Sequence, residues 1–242
     1  MDVGEHMLRS GAEVHRVEES VRRMGLSQGF SRVDIFIITS SMVVTAFTDD
    51  GKKITETRRI TDTSTDFEKV HRLNELSRNI CRNKVKKEDI PAELERAISC
   101  KSYPLYLEVL CFAIVAGAFT VFFGGGAIEA VVSFLIGALL RVSIIFLDKV
   151  TLNKIFSKFF SSFVASALAF TALKLGAIGS VDKVMIGNIM LLIPGIGFTN
   201  AIRDLFLGDS ISGLLRSVES ILTALAIAAG YLAVAAIGGA LS

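Results

Sequence analysis

The sequence predicts a membrane protein in two parts. A small α+β domain occupies residues 1–103, and a bundle of five transmembrane helices occupies residues 104–242, the fourth of them broken at Pro194-Gly195. Two observations carry this reading. The chain is 51% hydrophobic yet 21% charged, and 18 of its 26 Lys and Arg, with 17 of its 24 Asp and Glu, precede Pro104. Regions that differ so much in charge are built for different solvents. Beyond Pro104, five mostly apolar stretches (105–123, 128–147, 155–175, 181–198 and 214–241) approach the length of about 20 residues that a helix needs to cross a bilayer.

In residues 2–24, Val3, Met7, Val14, Val17, Val21 and Met24 recur at helical spacing, with Ser10-Gly11 filling the gap, which predicts one helix with a buried face. Residues 32–38 and 42–48 are rich in β-branched and aromatic types. The turn sequence "TDDGKK" then leads to a third strand near 54–60, completing a short meander. Residues 64–84 carry Phe67, Val70, Leu73, Leu76 and Ile80 at helical spacing, and residues 88–98 open with Asp89 as a cap and Pro91 in the first turn.

Composition also excludes. Net charge is +2 with acidic and basic residues interleaved, so no stripe for nucleic acid stands out. Cys81, Cys100 and Cys111 have no zinc spacing and are odd in number, which argues for reduced thiols. The N-terminus lacks the apolar run of a signal peptide, so the domain is expected to stay where it is made. No nucleophile elbow, zinc-protease motif, phosphate loop or dinucleotide fingerprint is present, and neither a cofactor nor a metal is implied. His15 with Glu18 and Glu19 reads as a solvated, salt-bridged helix face rather than a metal cluster.

In the membrane part, Arg96 and Lys101 precede the first span, and Lys149, Lys154 and Lys158 fall in a loop at 148–158. The positive-inside rule then makes the N-terminal domain cytoplasmic and, with five spans, puts the C-terminus outside a multi-pass cell membrane protein. Glu108 and Glu129 lie near span ends, where headgroup contact suffices, while Arg141 is either an anchor or a cavity charge. Gly117, Gly137, Gly187, Gly230 and an Ala-rich final span suit close helix approach, within the bundle and with partner helices in a larger assembly.

The stretch "LLIPGIGFTNAIRDL" (191–205) stands apart. Pro194 cannot donate a backbone hydrogen bond and Gly195 and Gly197 permit non-helical angles, so the helix breaks there. Thr199 or Asn200 can cap a new helix carrying Arg203 and Asp204; Asp209 or Ser210 can cap the last span, which opens with Arg216 and Glu219. Breaks within a bilayer persist where they line a cavity, and two arginines there could clamp a carboxylate. With Asn188, these residues are the candidate substrate or ion pathway. An ordinary cytoplasmic turn anchored by Arg203 and Arg216 is the competing reading.

Two patterns, "SGAEVHRVEESVRRMG" (10–25) and "PGIGFTNAIRDLFLGDSISGLLRSVE" (194–219), resemble the threonine/serine exporter family. The positions carrying the resemblance are Gly11, Glu13, Arg16 and Glu18, and Pro194, Gly195, Thr199, Asn200, Arg203, Asp204, Gly208, Asp209, Gly213, Arg216 and Glu219. Full-length members carry about ten spans of bilayer length, so this chain looks like the larger subunit of the split form, which works with a separate small five-span protein. The resemblance implies efflux of a small carboxylate-bearing metabolite, either a threonine- or serine-type amino acid or a succinate-type dicarboxylate. Arg203 or Arg216 would meet the substrate carboxylate; Asp204, Asp209 or Glu219 would pair with them or carry a coupling proton. The rival readings are a scaffold or regulatory membrane subunit, and a membrane-anchored enzyme acting through residues 1–100.

Overall fold

The computed structural model describes residues 1–61, 63–99, 103–150 and 153–240; Cys100, Lys101 and Leu241, named above, lie outside them. In chain order the elements are α1 (Asp2–Arg9), α2 (Val14–Ser27), β1 (Arg32–Ile38), β2 (Ser41–Phe47), β3 (Lys53–Arg59), α3 (Phe67–Cys81), a 3-10 turn (Lys87–Asp89), α4 (Ile90–Ile98), α5 (Leu105–Phe122), α6 (Ala127–Val150), α7 (Lys154–Lys174), α8 (Val181–Ile189), α9 (Gly195–Phe206) and α10 (Ser210–Ala240). Contacts divide them into two units: residues 1–102 with 197–217, and residues 103–196 with 218–242. Residues 197–217, which the sequence reading assigns to the membrane bundle, thus pack with the N-terminal residues.

In the first unit the three strands form an antiparallel meander in the order β1-β2-β3, with Ile35 opposite Val44 and Val44 opposite Glu56. Val33 and Ile37 on β1 and Met42 and Val44 on β2 alternate inward, and with Met7, Val14, Val17 and Leu73 they form the core. The helix expected over 2–24 is two helices. Gly11 sits at φ +87°, where a Cβ would lie 2.8 Å from the Ser64 carbonyl oxygen. The connector is pinned from outside: Ser64 and Asp66 donate their backbone N–H groups to the carbonyls of Arg9 (2.8 Å) and Ser10 (3.0 Å). The hydrophobic spacing of residues 2–24 survives the break because both helices face one core, so periodicity alone could not reveal it. Asp66 caps α3 by accepting from the Lys69 N–H at 3.0 Å. Asp89 makes no side-chain cap bond, since the 3-10 turn has already brought the chain into α4 with helical backbone angles at that position.

Among the described residues four helices are long and apolar enough to cross a membrane: α5, α6, α7 and α10. The segment 181–198 is divided differently from the expectation. α8 stops at Ile189, and the chain turns through 190–194 before α9 starts at Gly195. Nine helical residues rise about 14 Å, roughly half a bilayer core of about 30 Å. Thr199 and Asn200 therefore lie inside α9 rather than capping it. Likewise Lys149 belongs to the end of α6 and Lys154 and Lys158 to α7, so the loop expected over 148–158 is shorter; Ser157 donates to Asp148 at 3.1 Å.

Within the second unit, small residues govern helix approach. Gly137 brings α6 to within a methyl group of Ala116 on α5, and Gly230 on α10 does the same against the Phe159 carbonyl on α7. Where α5, α6 and α8 meet, three fully buried polar side chains bond to one another: Thr120 to Ser133 at 2.7 Å, and the Asn188 amide to Ser133 at 2.8 Å. Gly187 makes the meeting possible, because a Cβ there would clash with the Thr120 hydroxyl and lie 2.8 Å from the Ala116 carbonyl oxygen. Forcing extra volume into such packing costs about 1–3 kcal/mol. Gly187→Ala should accordingly lower the melting temperature of the detergent-purified protein, whereas Gly195→Ala, where the added Cβ meets nothing within 4 Å, should leave it close to the original.

Candidate functional site

Two segments far apart in sequence converge in the first unit. The break at Gly11 ends α1, leaves the carbonyl of the buried Ala12 outside both helices and sets Glu13 at the start of α2. Against this connector lie α9 and the first two turns of α10. Gly208, at φ +93°, reverses the chain between those helices. Gly213 then lets α10 press against Leu205 and the Ala201 carbonyl of α9, the latter 2.9 Å from where a Cβ would stand. The hairpin is therefore held by backbone approach and presents Arg203, Asp204 and Arg216 from adjoining turns.

The polar geometry is asymmetric. Arg203 Nη1 meets Glu13 Oε1 at 2.7 Å across 190 residues of sequence. Arg203 is largely exposed, so this pair alone contributes no more than about 1 kcal/mol. Arg216 is mostly buried; its Nη2 donates to the Ala12 carbonyl at 3.4 Å, and its Nε lies 3.4 Å from Asp204 Oδ2. Asp204 is fully buried, and neither of its carboxylate oxygens has a hydrogen bond among the described residues. The Asp209 Oδ2 atom is buried and unbonded as well, while its backbone N–H donates to the Asp204 carbonyl at 2.9 Å. Burial pushes the Asp204 carboxyl above its ordinary value; Arg216 opposes, Asp209 and Glu13 add to the rise, and Arg203 opposes weakly. Two guanidinium groups, one shielded carboxyl inclined to hold a proton and one mostly buried glutamate thus share one small cluster, with both charge-assisted donors and a protonatable acid in it.

Of the residues singled out in the sequence, the structure brings together Glu13, Arg203, Asp204, Asp209 and Arg216. Gly11, Gly208 and Gly213 shape their surroundings, and Pro194 and Gly195 start α9. Thr199 is exposed on α9, Asn200 is half-buried, and Ser210, the first residue of α10, is exposed. Glu219 is exposed further along α10 and is not the partner of Arg216, which turns to Asp204 instead. Asn188 belongs to the second unit, in the Thr120–Ser133 cluster. Glu18 pairs with Arg22 at 2.6 Å and Glu19 with Arg23 at 2.5 Å along α2.

Sequence reasoning missed three features. The Ala12 carbonyl is backbone and leaves no side-chain signature. Thr120 and Ser133 are hydroxyls inside apolar spans, and only their position opposite Gly187 could have flagged them. The ion pair of Arg141 with Glu108 (2.5 Å), in which Arg141 also covers the Phe112 ring at 5.0 Å, resolves two residues judged separately into one partly buried unit.

Comparison with known proteins gives this arrangement a context. The profile of the threonine/serine exporter (ThrE) family matches residues 1–238. The chain belongs to the threonine/serine exporter family. The chain is 28% identical over 222 residues to the "Probable succinate transporter subunit YjjP" of Klebsiella aerogenes, covering 90% of this chain and 84% of that one. It is 25% identical over 224 residues to the protein of the same name in Escherichia coli K12, covering 91% and 86%. It is 24% identical over 241 residues to the "Threonine/serine exporter" of Corynebacterium glutamicum, covering 94% of this chain and 48% of that protein, about half its length. No solved structure matches. Membership makes this family chain a membrane export protein and not an enzyme, which removes the reading of residues 1–100 as a catalytic domain.

The sign of the Asp204 shift yields a prediction. The folded state holds this proton more tightly than the unfolded chain. The corresponding stabilisation is therefore fully present below the ordinary carboxyl value of 3.8 and is lost as pH rises through the raised folded value. Melting temperatures followed upward from that pH should fall more steeply for the native chain than for Asp204→Asn, whose amide cannot ionise; parallel curves would contradict the assignment.

Proposed function

We propose that this threonine/serine exporter family member is one subunit of a two-component secondary exporter of a small carboxylate-bearing metabolite, a serine- or threonine-type amino acid or a succinate-type dicarboxylate. The observation that carries the reading is the junction of the two segments on which the family resemblance rests: Glu13 with Arg203, and the Ala12 carbonyl with Arg216, over a buried Asp204. A substrate carboxylate displaces Glu13 from Arg203 and gains the same charge-assisted bonding. Asp204, relieved of its negative charge by a proton, stays buried at little cost; when Arg216 turns toward substrate, the proton is what keeps Asp204 from being a bare buried anion. Exchange of a carboxylate on the arginines against a proton on Asp204 thus couples efflux to a proton gradient. Asp209, in the turn beside them, supplies a second acidic position.

The two relatives named as transporter subunits, and the exporter of which this chain spans about half, support the two-component arrangement. The partner is a separate small five-span protein, and the complex is an oligomer in the lipid bilayer of the cell membrane. We place the N-terminal domain in the cytoplasm, because the basic ends of α6 and α7 at Lys149, Lys154 and Lys158 favour that side. Residues 181–198, which are α8 and the start of α9, form the broken fourth of five crossings, which puts the C-terminus outside. Arg203 and Arg216 then approach substrate from the cytoplasmic side, where the metabolite accumulates.

Efflux of serine, threonine and succinate should be measured together in cells that express this chain alone, with a five-span partner, and with neither. Export above background is expected only with both proteins, and Arg203→Ala should abolish it while membrane levels and co-purification with the partner remain unchanged. Normal efflux by that variant would remove the arginine from the mechanism.

A further inference from the structure

Arg16, carried in the N-terminal family motif, takes no part in the junction described above. It lines a separate polar cleft of about 370 Å³ between α2 and α3, together with Arg23, Arg78, Arg82, Asn74 and Cys81. Spacing builds the cleft: Arg16 and Arg23 are seven residues apart on α2, and Asn74 and Arg78 on α3 and Arg82 just past its end follow at intervals of four, so each set forms one stripe. Four guanidinium groups face a single lining carboxylate, that of Glu19, which Arg23 already engages at 2.5 Å. Among the described residues no carboxylate lies within 4.0 Å of Arg16, Arg78 or Arg82, although every other arginine stripe on these helices is answered: Arg22 by Glu18, and Arg72 by Glu68. Leaving three positive forks together without counter-charge repels and serves nothing in an isolated fold. It suits an incoming anion of at least two charges, and the volume is that of a small-ligand site. A single carboxylate occupies one fork, whereas two neighbouring phosphate groups offer oxygens to all three, with the Asn74 amide and Ser20 hydroxyl as neutral donors at the edges.

We propose that the α2–α3 cleft binds an anion carrying two or more closely spaced phosphate groups, supplied either by a soluble polyphosphate or by a lipid headgroup. The site is independent of the transport reading.

The test uses the full chain in phosphatidylcholine nanodiscs, with inorganic pyrophosphate as the soluble probe and nanodiscs containing cardiolipin as the lipid source. Cys81, which lines the cleft, reports occupancy through its rate of maleimide labelling. Pyrophosphate binding by titration calorimetry, weakened at least tenfold in Arg78→Gln/Arg82→Gln and in Arg16→Gln but unchanged in Arg72→Gln, with Cys81 protected, establishes the soluble source. Protection of Cys81 by cardiolipin alone, lost in the same variants, establishes the lipid source. Equal protection by succinate at the same concentration, binding that survives both sets of substitutions, or protection by neither probe overturns the proposal. The single variant Arg16→Gln, exposed and outside the core, keeps the test valid if the double variant melts early.

Discussion

Asp204 is shut away from solvent, has no hydrogen bond to either carboxylate oxygen among the described residues, and has one guanidinium, that of Arg216, at 3.4 Å. Such a group is tolerated in a protein interior only when it is paired or protonated. The surrounding structure follows from keeping it so. Gly213 must be small for α10 to bring Arg216 against α9, Gly208 must accept a positive φ for the helices to reverse, and Gly11 must do the same for the Ala12 carbonyl to reach Arg216. Three glycines of the two family motifs are therefore geometric accessories to one charge cluster.

Much of this architecture was legible in the chain. Periodicity located the three strands, α4, α5 and α7 to within two residues, because each buries one face and that demand is written locally: Val33, Ile37, Met42 and Val44 alternate inward. The break at Gly11 was not legible, since both flanking helices keep their apolar residues in phase. Nor were Glu13 as the partner of Arg203 and the Ala12 carbonyl as a partner of Arg216, although the pairing of Arg216 with Asp204 was among those expected. Sequence offers the neighbours Asp204, Asp209 and Glu219, while the fold supplies Glu13 from 190 residues away and a carbonyl that no residue letter encodes. The end of α8 at Ile189, five residues before Pro194, shows the same limit: proline marks where a helix cannot continue, not where it first gives way.

In the second unit the constraint is reversed. Lipid gives helices little hydrophobic reason to associate, so α5, α6 and α8 meet through glycine, alanine and a short chain of hydroxyl and amide bonds. Asn188 belongs to that chain, and its carbonyl oxygen is left without a partner among the described residues. The pairing of Arg141 with Glu108 obeys the same economy, each charge lowering the cost of holding the other. Polar residues in apolar helices thus fix packing there, whereas in the first unit they gather into one mixed-charge cluster around Asp204.

The central claim is that residues 10–16 and 199–216 form one structural site, held through Arg216. Hydrogen exchange followed by mass spectrometry on the full chain in nanodiscs, comparing the native protein with Arg216→Gln, tests this most directly. The account predicts faster exchange in both segments of the variant, with α5 and α6 unchanged. Loosening confined to the start of α10, with residues 10–16 as protected as before, would contradict it.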